Sequence, residues 1–309
     1  MSRHPWEKLA AGEQWRGWWE TGLAGAPALP VLAARGAHPG PTLLVTAAVH
    51  GDEYEATTAI HALFRDLDLS ALHGMVIGLP VVNGAAWAAR ARVAPTDQVD
   101  LNRVFPGPVT PTQEPTRLLA EKVFATFVQR CDLLVDLHSG GLRLVHLPMV
   151  GWYAGGREAE RLARGFGAAL HPWLIPNVAG VLSYEAHRVG KVALGAEWGG
   201  GGRLDPAGAA GYAAGLRRIL AVMAGAPVAN AELDPRSPVA GRYQEVVEGG
   251  LFIPQVVLGD RIEADSPLGT LYNTLGEQVA VVKAFRNGLL AALAHLAWIE
   301  PGGRVAYIG

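Results

Sequence analysis

The 309-residue chain holds a single cysteine, Cys131, which excludes an intrachain disulfide and stands at the head of an apolar run, where a core residue is expected rather than a nucleophile. No run of Lys and Arg stands out. The formal net charge is −2 and the pI about 6.6, so neither nucleic acid nor an anionic membrane surface is an expected partner. The most apolar late segment, residues 289–298, is too short to span a bilayer and contains His295. Residues 1–21 carry Arg, Lys, Glu and Trp throughout and lack the apolar core of a secretory signal, so export is not expected. These absences lead to the expectation of a soluble, cytoplasmic protein acting on small molecules. A homo-oligomer is compatible with the sequence.

What the chain does have is apolar content, 50% of its residues, enough for one large domain and a smaller one. Residues 42–55 read Thr-Leu-Leu-Val-Thr-Ala-Ala-Val-His-Gly-Asp-Glu-Tyr-Glu: a strand buried on both faces, a turn at His50-Gly51, then a helix over 53–67. Residues 75–82 and 131–137 are further apolar strands, the second ending on Asp136-Leu137-His138-Ser139-Gly140. Residues 191–196 form another, ending on Glu197-Trp198 before four glycines read as a loop. Helical periodicity covers 113–130, 156–170 and 205–224, whereas 85–112 reads as a long irregular stretch, and such loops are often functional. Trp15, Trp18 and Trp19 share a helical face, either a partner surface or, by preference, a face that packs against the domain.

Strands alternating with helices predict a doubly wound, mixed but mainly parallel α/β sheet. From about residue 227 the texture changes to short runs at 242–247, 251–258 and 278–284 between Gly, Pro and Asp turns, the pattern of a small all-β domain. The expected division is therefore 1–226 for the catalytic domain and 227–309 for a β domain capping the cleft.

The predicted strand ends gather His50, His138 and Glu197 on one edge of the sheet, where ligands bind in open α/β folds. His50 and Glu53, three residues apart across a tight turn, can address one ion. Alone the pair is weak, since His4 and Glu7 repeat the spacing with no strand before them. Adding His138 gives two imidazoles and a carboxylate, a zinc ligand set with a fourth position left for water. Asp136 is either an orienting partner of His138 or a plain strand-end acid.

Four motifs in order carry a resemblance. They are Val-His-Gly-Asp-Glu-Tyr-Glu at 49–55, Arg92 with Asp-Leu-Asn-Arg-Val-Phe-Pro-Gly at 100–107, Asp-Leu-His-Ser-Gly at 136–140 and Gly-Ala-Glu-Trp-Gly at 195–199. Together they resemble the succinylglutamate desuccinylase/aspartoacylase family, which is akin to the zinc carboxypeptidases, from about Pro41 to the chain end. The resemblance implies one zinc per chain on His50, Glu53 and His138, and Arg92 on the scissile carbonyl and its oxyanion. It also implies Asn102 and Arg103 on the substrate's free carboxylate, and Glu197 as general base and proton shuttle. The implied activity is hydrolysis of the amide bond of a small N-acyl amino acid, with a carboxypeptidase acting on peptide C-termini as the alternative. A β domain closing the cleft would favour the small substrate. Arg90, Arg92 and Arg103 could instead be surface charges paired with Asp97 or Asp100. Arg143, Tyr243 and Tyr272 are candidates for further substrate contacts, with no motif to fix them. A carrier domain modified at Lys283 is a rival of another class, against which Val282 stands where an acidic or Met neighbour is expected.

Overall fold

The computed structural model describes residues 4–167, 169–227, 234 and 236–309. Strands β1 (Gln14–Trp19), β2 (Leu29–Arg35) and β3 (His38–Thr46) lead to helix α1 (Glu55–Arg65), β4 (His73–Leu79) and a short α2 (Gly84–Ala89). A 3-10 turn at Leu101–Arg103 precedes α3 (Pro115–Thr126), β5 (Leu133–His138) and β6 (Leu144–Trp152). Then follow α4 (Arg157–Arg164), β7 (His171–Leu174), α5 (Leu182–Arg188), β8 (Val192–Gly200) and α6 (Pro206–Met223). The remaining described elements are strands: β9 (Arg242–Glu245), β10 (Gly250–Pro254), β11 (Arg261–Ile262), β12 (Pro267–Tyr272), β13 (Gln278–Lys283), β14 (Gly288–Ala294), β15 (Trp298–Ile299) and β16 (Arg304–Ile308).

One mixed sheet runs in the order β1-β2-β4-β3-β5-β8-β6-β14-β16-β9. At its centre β4, β3, β5 and β8 are parallel, and antiparallel strands flank them on both sides. The apolar runs explain this centre. Successive strand residues point to opposite faces, so Leu43, Val45, Leu133 and Val135 pack under α1, α4 and α6, while Leu44 and Leu134 pack under α3 and α5. Cys131 is buried in the second of these layers. The second part of the chain does two things: β14, β16 and β9 extend the main sheet beyond β6, and β13-β12-β10-β15 forms a separate all-β sheet. Among the described residues no helix is long and apolar enough to cross a membrane.

Several local expectations need correction. The segment with Trp15, Trp18 and Trp19 is a strand, β1, rather than a helix; Trp19 is buried while Trp18 is 67% exposed. Residues four apart share a face in either periodicity, and pairing with β2 selects the strand. The stretch 85–112 is not wholly irregular, because Asn83 caps α2 by accepting from the Ala86 N–H. Glu197 lies inside β8 rather than at its end, and Gly199 and Gly200 continue that strand before the turn. Strands β6 and β7 and helix α5 were not anticipated; they are short or interrupted by Pro148 and Pro172.

Candidate metal centre and active-site cavity

After β3 the chain bends at Ala48, a non-glycine residue at φ 47°, and the Asn83 N–H donates to its carbonyl. This turn brings His50 and Glu53 to the carboxyl edge of the parallel strands. Gly51 is required there: a Cβ would lie 2.0 Å from the backbone of Ala86 in α2. His138 closes β5 on the same edge, and its carbonyl accepts from the buried Tyr212 hydroxyl at 2.7 Å.

The side chains converge. His50 Nδ1 lies 2.7 Å from Glu53 Oε1, His138 Nδ1 lies 2.9 Å from Glu53 Oε2, and one ligand atom from each of the three residues falls within 4.8 Å of the others. The outer nitrogens are held as well. His138 Nε2 is 3.0 Å from Asp136 Oδ2, whose other oxygen accepts from Thr46 Oγ1, and His50 Nε2 is 3.2 Å from Asp100 Oδ1. An imidazole that donates from Nε2 to a carboxylate presents a bare Nδ1 inward, the tautomer a metal needs. Asp136 thus contacts His138 directly. Asp100 makes the matching contact to His50, an arrangement that no local motif announces, because the two residues lie fifty positions apart with no fixed spacing.

The electrostatics point the same way. Burial works against charge on Glu53, yet His50 and His138 hold its carboxyl well below the usual range. Burial likewise opposes charge on His138, but Asp136 and Glu53 push its pKa well above that of a free imidazole. The cluster favours positive charge at its centre, which a divalent cation can supply in place of a proton. Two imidazole nitrogens and one carboxylate oxygen are the donor set of a catalytic zinc site, so the residues present fit that ion.

Around this centre, Arg92, Asn102, Arg103 and Glu197 line the same cavity, of about 490 Å³. Arg92 does pair with Asp100, through Nε at 3.1 Å and Nη2 at 2.9 Å, and it still faces the cavity. Asp100 therefore ties Arg92 to His50. Its carboxyl is half-buried, which opposes charge, but the His50 hydrogen bond and the charges of Arg92 and Arg103 hold it far below the usual range. Asn102 accepts from the Leu182 N–H through Oδ1 at 2.8 Å, and Arg103 Nη1 donates to the Asn102 carbonyl at 2.6 Å. Arg90 is exposed, at the end of α2, and Glu55, fully buried, accepts from the Asp205 N–H at 3.2 Å. Of the looser candidates, Tyr243 lines this cavity, Arg143 lines an adjoining one with Asp52 and Arg103, and Tyr272 lies in a separate depression beside Trp298. Arg304 and Tyr307 join Tyr243 from the C-terminal strands, and His146 joins from β6; none of these three carried a sequence signal.

A mixed α/β sheet with imidazole, carboxylate and imidazole gathered at its carboxyl edge is the architecture of the zinc carboxypeptidase-like deacylases. Residues 39–223 match the succinylglutamate desuccinylase/aspartoacylase catalytic domain, and the chain belongs to that family. It is 32% identical over 298 residues to an N-alpha-acetyl-L-2,4-diaminobutyric acid deacetylase of Halomonas elongata, covering 92% of this chain and 86% of that one. Among solved structures, a succinylglutamate desuccinylase/aspartoacylase from Rhodobacter sphaeroides superposes with a TM-score of 0.83 at 25% identity, covering 100% of this chain and 97% of that one. The ectoine utilization protein EutE (DoeB) from Ruegeria pomeroyi, in a product-bound structure, gives 0.79 at 29% identity, covering 91% and 89%.

Proposed function

We propose that the protein is a zinc-dependent amidohydrolase of the cytoplasm that removes the acyl group from a small N-acyl amino acid. The observation that carries the reading is the sharing of one cavity by His50, Glu53, His138, Arg92, Asn102, Arg103 and Glu197. His50, Glu53 and His138 would hold a zinc ion, which when bound would act as a Lewis acid, lowering the pKa of water towards neutrality and polarising a carbonyl. Glu197 takes a proton from the attacking water and returns it to the departing nitrogen. Arg92, oriented by Asp100, stabilises the charge that develops on the carbonyl oxygen, and the planar guanidinium of Arg103, with the Asn102 amide, grips the free carboxylate.

A small substrate is favoured over a peptide because the second part of the chain contributes Gly241, Tyr243, Arg304 and Tyr307 to the cavity. We retain a division at 226/227, with residues 227–309 closing the cleft. The name of the Halomonas relative supports an acetyl-sized leaving acyl group. A screen of N-acetyl, N-formyl and N-succinyl amino acids with zinc-loaded and chelated protein tests the reading: hydrolysis that needs zinc and prefers one acyl class is expected, and release of C-terminal residues from peptides alone would replace it with the peptidase. In the same assay Glu197→Gln should lose about a hundredfold to ten-thousandfold in kcat with zinc retained. Loss of zinc from that variant would make Glu197 a ligand and remove the base.

A further inference from the structure

His146 faces the cavity from β6 and belongs to none of the four motifs. It sits in an otherwise apolar strand, 4% exposed, where Leu would fill the space without desolvating an imidazole. Its Nδ1 lies 2.9 Å from Glu197 Oε2. An ionised carboxylate only accepts, so Nδ1 carries the proton and, in a neutral ring, Nε2 keeps its lone pair. The Tyr243 hydroxyl lies 3.4 Å from that Nε2. Burial, with Glu197 nearby, pushes the Tyr243 phenol above its ordinary pKa, so it keeps the proton it needs to donate.

The sheet register aims the ring. His146 pairs with Gly199 and Met149 with Glu197, so three steps along β6 oppose two along β8. The extra residue is a bulge at Leu147-Pro148, and Pro148 has no N–H to leave unpaired there. Bulges of this kind re-aim side chains beside active sites.

We propose that His146 is a positioning residue for Glu197. It holds Oε2 so that Oε1 faces the attacking water, and Tyr243 on β9 holds the ring from the other side. The proposal rests on Glu197 being the base. A carboxylate free to rotate would seldom present the correct oxygen, and misalignment of a reacting group lowers the rate without weakening substrate binding.

Kinetics on the best N-acyl amino acid, with zinc content and melting temperature measured for each variant, test it. His146→Leu should lower kcat about tenfold to a hundredfold, the reach of one hydrogen bond to a charged group, with KM and zinc near wild type. His146→Asn, whose amide nitrogen occupies the place of Nδ1, should restore most of the rate. A His146→Leu enzyme with wild-type kcat, or an Asn variant as slow as Leu, overturns the proposal; His146→Met replaces Leu if that variant does not fold. Independently of turnover, the nitrogen spectrum of ¹⁵N-labelled histidine should show His146 protonated at Nδ1 and bare at Nε2, and the opposite tautomer overturns the assignment. Glu197→Gln run alongside separates the two readings. An active Glu197→Gln enzyme removes the base and this proposal together, while an inactive one beside an unimpaired His146→Leu removes only the latter.

Discussion

Asp100 contacts more of the site than any sequence pattern suggested: one oxygen meets His50 Nε2 and the Asn102 N–H, the other holds Arg92. Asp100→Asn should therefore weaken zinc binding by about tenfold to a hundredfold, the usual cost of losing a carboxylate behind a ligating imidazole, and should also lower kcat by loosening Arg92. His138→Ala should abolish the expected single zinc; metal analysis of both variants checks the pair, and unchanged stoichiometry in His138→Ala would falsify the ligand set. The two arginines should separate kinetically. Arg103→Ala is expected to raise KM more than it lowers kcat, because a carboxylate remote from the reacting bond is held equally in ground and transition states. Arg92→Ala is expected to do the reverse, since the oxyanion exists only near the transition state. Equal losses of kcat with KM unmoved would show that these roles are wrongly divided.

At the level of elements, the site depends on a turn wedged against a short helix. Gly51 passes so close to Ala86 that any side chain must push α2 away, and α2 is fixed by its Asn83 cap and by the Tyr54–Trp87 ring contact, centroids 5.3 Å apart. Gly51→Ala should cost about 1–3 kcal/mol of stability, the range for overpacking a filled space, and should displace the His50–Glu53 turn enough to reduce zinc content. Thermal melts and metal analysis measure both effects, and a variant as stable and as metal-rich as the parent would show that α2 yields without moving the turn. Element identity itself was legible where the period was unambiguous. The apolar runs of β3, β4, β5 and β8 and the long periodic helices α1, α3 and α6 follow from their residues. The strand β1 did not, because Trp15 and Trp19 satisfy a helix or a strand until a partner strand is present.

Across the whole molecule, the C-terminal part is joined to the catalytic part by hydrogen bonding and by packing. Strand β14 pairs with β6, the Trp173 indole N–H donates to the Tyr307 hydroxyl at 3.1 Å, and Met149 packs in one cluster with Val239, Ala291, Ala292 and Tyr307. A chain ending at residue 226 should lose these contacts, expose the edge of β6 and aggregate. Expression of that fragment with limited proteolysis is the measurement; a soluble, protease-resistant fragment would show that the first part stands alone.

The sequence by itself determined the parallel centre of the sheet, the edge that carries the site, and the pairing of His50 and Glu53 with His138. Those features are written in apolar runs, in turn glycines and in the spacing of His50 and Glu53, with His138 added from the end of its own strand and from the family motifs. Only the tertiary structure decided that Asp100 backs His50, that His146 holds Glu197, and that Tyr243 and Arg304 enter the cavity. Each of these depends on register and on the angle between elements. A bulge of one residue in β6 redirects His146, and the docking of β14 on β6 brings the strands that carry Tyr243 and Arg304 to the mouth of the cleft. Long-range packing sets such placements, and neighbouring letters in a sequence carry no record of it.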